Sequence, residues 1–195
     1  MAIKAADVKK LRDATGAGMM DAKKALTEAD GDFDKAVDLL RVAGQAKAAK
    51  RSDREAANGL VVGAGNALVQ IGSETDFVAK NADFVATADK IAKAVDVAKA
   101  DSKDAAAQVQ LDDGKTVAQT LEDLAGTIGE KIELADAAYF EGNAHIYLHR
   151  RSQDLPPQVG VMVEYTGEDT EAVHGVCLQI AAMNPRWVNL SLIHI

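Results

Sequence analysis

The first 44 residues hold three short helical patterns, and a glycine follows each of them. Apolar residues recur at helical spacing up to Gly16, up to Gly31 and up to Gly44, where the patterns stop. Helices this short do not persist alone in water, because nucleation costs more free energy than a few hydrogen bonds return. The helices must therefore pack against one another, and the sequence predicts a three-helix domain over residues 1–44.

Residues 45–57 form an alanine-rich segment with a local excess of positive charge. The segment contains no large apolar residue, so we interpret it as an exposed basic linker that could be helical, with a nucleic-acid arm as the alternative. The whole chain has 22 Lys and Arg against 30 Asp and Glu, a formal net charge of −8. A field of that sign repels phosphate backbones and attracts a partner with basic patches. We therefore expect no direct binding of nucleic acid. The basic residues are Lys47, Lys50, Arg51 and Arg54.

The hydrophobic pattern becomes strand-like at residue 58, where we place the start of an N-terminal core subdomain over residues 58–142. The stretch GLVVGAGNALVQIGSE predicts two strands that turn at Gly65-Asn66. Thr75 and Asn81 are then placed to cap a short helix and a longer one. Apolar residues at helical spacing predict a further helix near the end of this subdomain.

A second, partial core subdomain is predicted over residues 143–189. The stretch KIELADAAYF, at the end of the first subdomain, and the stretch AHIYLHR are joined by residues 141–143 and predict a hairpin. VGVMVEY leads into a helix with Cys177 on its apolar face. The predicted fold class is α+β: a three-helix module, a linker and two small subdomains with antiparallel hairpins, the second of them incomplete. We expect residues 190–195 (LSLIHI) to be a non-native tail, because an apolar run ends there without any capping residue.

Neither a cofactor nor a metal site is expected. The stretch DDGKT lacks the earlier glycine of a phosphate-binding loop. His145 and His149 share a strand face but lie about 13 Å apart, too far to bind one metal ion. Cys177 is the single cysteine, which excludes an intrachain disulfide and fits a reducing setting. No signal-peptide core and no apolar run of about 20 residues is present, so we expect a cytoplasmic protein that does not bind membranes.

The stretch SETDFVAK places two carboxylates beside Phe77, one of four phenylalanines. Three interpretations are open. Phe77 could enter the local core of an ordinary helix start. Glu74 and Asp76 could form an acid–base pair, although no second catalytic group or pocket is visible. The ring could also remain exposed on a tight strand-to-helix turn and insert into another protein.

Two long motifs carry a family resemblance. The stretches VKKLRDATGAGMMDAKKAL and SETDFVAKN, together with YLHRRSQDLPPQVGVMVEY, resemble the elongation factor Ts family of bacterial translation. The resemblance implies an N-terminal module like ubiquitin-associated (UBA) domains and a two-part α+β core. It also implies a guanine-nucleotide exchange factor without covalent catalysis. The implied partner is elongation factor Tu, in its GDP-bound and nucleotide-free forms.

The resemblance also implies which residues act. The T-D-F-V motif, here Thr75, Asp76, Phe77 and Val78, would intrude near the partner's magnesium site and promote loss of the ion. Further contacts with the partner are implied at Arg12, Met19, Met20, Ile128, Gly129 and His149. Ala135-Asp136 stand where family members usually carry a basic pair, so any interaction of that pair is in doubt here. The family's coiled-coil hairpin and the end of its second core half have no counterpart, and we expect a C-terminally truncated member.

Overall fold

The computed structural model describes residues 3–49, 51 and 53–185. Within them a helical module precedes two antiparallel sheets and their helices, which confirms the predicted α+β fold class. The expectation about residues 190–195 lies outside the described residues. In chain order the elements are α1 (Ala5–Thr15), α2 (Met19–Glu28), α3 (Phe33–Ala49), β1 (Asn58–Ala64), β2 (Ala67–Ser73), α4 (Asp76–Ala79), α5 (Ala82–Ala98), α6 (Lys103–Gln108), α7 (Val117–Ile128), β3 (Ile132–Tyr139), β4 (Asn143–His149), β5 (Val159–Tyr165) and α8 (Thr170–Met183).

The first three helices pack around an apolar core of their own, as predicted. Leu11 of α1 and Leu26 of α2 are almost completely buried in it. Gly16 follows α1 in the left-handed conformation (φ 67°), and its N–H donates to the carbonyl of Arg12. Glycine adopts that conformation without steric cost, which is why the end of α1 could be predicted from the sequence.

The third helix does not stop at Gly44, so that part of the prediction is wrong. α3 continues to Ala49, and the first residues of the predicted linker are helical. Gly44 faces Gly126 of α7 instead: a Cβ on Gly44 would lie 3.3 Å from the Gly126 Cα, closer than carbon atoms prefer. This glycine permits a close helix crossing that joins the module to the core. The domain boundaries themselves stay predictions.

The first sheet has the strand order β1-β2-β3, and all its pairs are antiparallel. β1 and β2 form the predicted hairpin with Gly65 and Asn66 between them. α5 packs on this hairpin and buries Phe84 and Ile91, while α7 packs beside β3. Asn81 caps α5 through its side-chain oxygen, as predicted. The sheet thus supplies a rigid base for the segment that leaves β2.

The predicted hairpin of β3 and β4 is wrong. β3 pairs with β2, whereas β4 pairs with β5 in a separate two-stranded sheet. β3 buries Ile132 and Leu134 in the core beneath the first sheet, whereas β4 carries half-exposed side chains. Asn66 holds the connection between them, because its amide group donates to the carbonyls of Phe140 (2.9 Å) and Gly142 (2.8 Å). The turn residues therefore mark a crossing from one sheet to the other.

The second sheet carries α8 and lies against β1. α8 buries Cys177, the core thiol that the sequence predicts. The amide of Val61 in β1 donates to the carbonyl of Pro157 (2.8 Å), and Gly160 of β5 approaches the Val61 side chain where a Cβ would clash. Along the ranges described, none of the helices combines the length and apolar character that crossing a bilayer requires.

Candidate partner-binding site

The turn from β2 into α4 presents Phe77 to solvent. The ring is 79% exposed, while Val78 and Ala79, the next two residues, are buried beneath it. α4 has four residues, so the two buried side chains anchor it and the ring projects away from the fold. The interpretation that Phe77 enters the local core is therefore wrong, and the exposure that the third interpretation requires is confirmed. Insertion of the ring into another protein stays a prediction.

Thr75 precedes α4 but does not cap it in the predicted way. Its hydroxyl donates to Glu130 Oε1 (2.8 Å), and its backbone amide donates to Glu130 Oε2 (3.0 Å). A threonine hydroxyl has one hydrogen to give, and here a carboxylate receives it. The segment is thus bound to a residue 55 positions later in the chain.

The two carboxylates of the motif have structural partners. Glu74 accepts the backbone amide of Lys131 (2.6 Å) and the guanidinium of Arg54 (2.9 Å). The Lys131 amide hydrogen bond, more than the nearby Arg54 and Arg51 charges, lowers the pKa of Glu74. Asp76 forms an ion pair with Lys80 one helical turn later (3.6 Å). A carboxylate held ionised by such bonds is a poor proton donor near neutral pH, which disfavours the acid–base interpretation of Glu74.

Ile128 and Gly129 lie beside this turn. Ile128 ends α7, and Gly129 follows in the left-handed conformation (φ 87°). The next residue, Glu130, is the one that binds Thr75. The structure therefore brings two groups of predicted site residues together, although more than 50 residues separate them in the chain. Their contact with a partner stays a prediction.

The third group, on the helical module, lies near the same end of α7. Met20 is 77% exposed and Met19 46% exposed at the start of α2, and Arg12 pairs with its neighbour on α1. Gly16, between α1 and α2, lies so close to Thr127 that a Cβ would clash with the threonine methyl group. The end of α7 is thus flanked by the α1–α2 loop and by the α4 turn.

His149 lies apart from this group. It is exposed at the end of β4, and its Nδ1 lies 3.0 Å from the hydroxyl of Tyr147. Its strand belongs to the second sheet, and no hydrogen bond or ion pair between described residues links it to the α4 turn. His145 contacts His174 of α8 (Nε2···Nδ1 3.1 Å), a pairing that the sequence did not reveal.

Sequence reasoning missed Glu130, Lys131 and Arg54 as residues of this site. They lie 20 to 57 positions from the residues they bind, and none stands in a local motif with them. The family resemblance implies Ile128 and Gly129 as partner contacts, whereas the two residues after them, Glu130 and Lys131, bind the α4 turn within the chain. Across the ranges that the structure describes, no three His, Cys, Asp or Glu side chains are grouped to hold a metal ion.

An exposed aromatic ring on a braced turn, in a chain that also exposes two methionines at the start of α2, is typical of a protein that docks onto another protein. Comparisons identify the class further. A sequence model of the family "Elongation factor TS" matches residues 74–194. Elongation factor Ts of Cutibacterium acnes is 76% identical over 189 residues, which are 97% of this chain and 70% of that protein.

More distant relatives agree with this match. Elongation factor Ts of a Nocardioides species is 57% identical, with 95% of this chain and 68% of that protein covered. The protein of the same name from Mycolicibacterium gilvum is 55% identical, with 94% and 68% covered. The chain is thus a translation elongation factor. It belongs to the elongation factor Ts family.

Proposed function

We propose that this chain is a guanine-nucleotide exchange factor for elongation factor Tu. It binds the GDP complex, promotes loss of Mg²⁺ and GDP, and so allows GTP to enter, without making or breaking a covalent bond. The observation that carries this proposal is Phe77, which is 79% exposed on a turn anchored by buried neighbours. Membership of the elongation factor Ts family supports it.

Linkage explains how binding drives release. Bound nucleotide and bound exchange factor weaken each other when each favours a different conformation of the partner. Phe77 is free to transfer its ring from water into an apolar slot of the partner, which contributes about 1.5–3 kcal/mol. At about 1.4 kcal/mol per tenfold change, the ring alone supplies one to two decades of coupling.

Asp76 adds negative charge next to the ring. Its carboxylate is partly exposed and pairs with Lys80 at 3.6 Å, a distance at which a surface ion pair is weak. The anion is therefore free to approach the partner's Mg²⁺ shell, whose near-octahedral geometry tolerates little displacement. Thr75 and Val78 complete the motif, one by binding Glu130 and one by anchoring α4.

Several other contacts hold the partner while the ring acts. The net charge of −8 suits a partner surface with basic patches. Exposed methionines are adaptable contact groups, because their side chains are unbranched and flexible. We propose partner contacts at Arg12, Met19, Met20, Ile128, Gly129 and His149.

Release of fluorescent GDP from elongation factor Tu tests the proposal. Phe77→Ala should slow stimulated release by about 10- to 100-fold, because it removes the free energy gained when the ring is buried in the partner. Val97 is the matched control, since it is an apolar side chain 83% exposed on α5, and Val97→Ala should leave release unchanged. Both side chains are exposed, so neither truncation should disturb folding.

The same assay separates exchange from passive docking. A docking module would bind elongation factor Tu without accelerating release of GDP. If the parent chain binds but does not accelerate release, exchange activity is excluded. If Phe77→Ala matches the parent, the ring has no role in it.

A further inference from the structure

The α4 turn and the segment before β3 are joined by hydrogen bonds to two carboxylates, one from each segment. Glu130 accepts both the amide and the hydroxyl of Thr75 (3.0 and 2.8 Å). In the reverse direction, Glu74 accepts the amide of Lys131 (2.6 Å). Each segment thus donates backbone hydrogen bonds to a carboxylate of the other, and hydrogen bonds to ionised acceptors are stronger than neutral ones.

We infer that Glu130 is a positioning residue for nucleotide exchange, which fixes the direction in which α4 presents Phe77. This inference rests on the proposed function and names a residue that acts through the turn. Glu130 itself is half-buried and directed at Thr75.

The short helix needs such a brace. A helix of four residues is below the length that holds its own shape in water, so tertiary contacts must orient it. The Phe77 side chain is largely exposed and therefore contributes little packing that could orient the helix. Any freedom in the turn would have to be lost when the ring enters the partner, and a brace in the free protein removes that cost beforehand.

Among the residues that the structure describes, Glu130 is one of three side chains that hydrogen-bond to the backbone just before α4. Ser73 donates to the Thr75 carbonyl (2.9 Å), and Asn58 donates to the Glu74 carbonyl (2.8 Å), so both hold the segment before α4 from the β1–β2 hairpin. Glu130 accepts from the amide and the hydroxyl of Thr75, and it holds them from outside the hairpin, just after the end of α7. Gly129 makes this possible, because its left-handed conformation turns the chain from α7 toward β3.

The test measures release of fluorescent GDP from elongation factor Tu at saturating factor. Glu130→Ala should lower the maximal rate about tenfold, while the concentration for half-maximal effect changes little because the other contacts remain. Glu130→Gln should retain most of the activity, since its amide can accept from the Thr75 amide and donate to the hydroxyl. Glu141→Ala, which removes an exposed carboxylate paired with Lys99 at 3.2 Å, is the control and should match the parent.

Combining Glu130→Ala with Phe77→Ala distinguishes positioning from general support. Without the ring only Asp76 remains to be positioned, so adding Glu130→Ala to Phe77→Ala should slow release much less than the tenfold expected in the parent. Independent effects that multiply would overturn the inference, as would a Glu130→Gln variant as slow as Glu130→Ala. A parent-like rate for Phe77→Ala would instead refute the proposed role of the ring, so the two failures are distinguishable.

Hydrogen exchange of the free protein gives a second readout. Glu130→Ala should speed amide exchange in the peptide that covers residues 73–80, with protection of α5 unchanged. Unchanged exchange in residues 73–80 would show that Glu130 does not brace the turn. Faster exchange throughout the first sheet would show general destabilisation, which also contradicts a positioning role.

Discussion

Replacing Gly44 and Gly126 together by alanine tests whether the crossing of α3 and α7 holds the helical module to the core. A Cβ on Gly44 would lie 3.3 Å from the Gly126 Cα, and a Cβ on Gly126 would lie 3.2 Å from the Gly44 Cα. Carbon atoms prefer separations of about 3.5–4.0 Å, so two facing methyl groups must push the helices apart. A gap of about 0.5–1 Å already forfeits a quarter to a half of the contact energy across it.

Helix propensity alone predicts that the double variant is more stable than the parent, which is opposite to the effect of the crowded crossing. Alanine is favoured over glycine by up to about 1 kcal/mol in a helix interior, so two replacements would stabilise the chain by about 2 kcal/mol. Overpacking typically costs about 1–3 kcal/mol for each inserted group. Two such costs less the propensity gain leave a loss of about 0–4 kcal/mol, so we expect the double variant to be less stable than the parent by about 2 kcal/mol.

Urea denaturation followed by circular dichroism measures this difference. Gly175→Ala is the control, because Gly175 lies in α8 and a Cβ there would meet nothing within 4 Å. The free energy of unfolding of the control should rise by up to about 1 kcal/mol. If the free energy of unfolding of the double variant rises by about twice as much as that of the control, the close crossing does not hold the module. Stimulated GDP release should fall in the double variant, because the exposed methionines of α2 shift relative to Phe77.

Two further predictions concern titratable groups. The Lys131 amide lowers the pKa of folded Glu74, so its stabilisation is present above the ordinary value of about 4.3 and is lost as the pH falls through the folded value. The difference in melting temperature between parent and Glu74→Gln should therefore narrow as the pH falls below the ordinary pKa, and a difference that stays constant down to acid unfolding contradicts this. Burial raises the pKa of the Cys177 thiol, so a disulfide reagent at mildly alkaline pH should label the folded chain slowly and the urea-unfolded chain fast. Equal labelling rates would show that α8 does not stay packed on its sheet.

Local patterns made much of the fold predictable. α5 and α7 follow from apolar residues at helical spacing, and the Asn81 cap lies where the sequence places it. The hairpin of β1 and β2 follows from its Gly-Asn turn. These features depend on neighbours a few positions apart, so the sequence states them directly.

The sequence could not decide the role of a glycine or a turn where that role depends on a distant part of the chain. Gly44 has the same side chain whether it ends a helix or lies in a helix crossing, and only the position of Gly126 decides between the two. Residues 141–143 resemble a hairpin turn, yet the buried face of β3 directs it to β2. Strand partners depend on which surfaces remain to be covered, and that is a property of the assembled core.

The sequence by itself determined the family, the helical module and the motif that carries Phe77. Tertiary structure decided that the ring points to solvent, because Val78 and Ala79 take the buried positions beneath α4. It also decided that Glu130 holds Thr75 across 55 positions of chain. The physical reason is that a short polar motif fixes its own backbone preferences, whereas the direction of a side chain depends on contacts between segments that meet only in the folded protein.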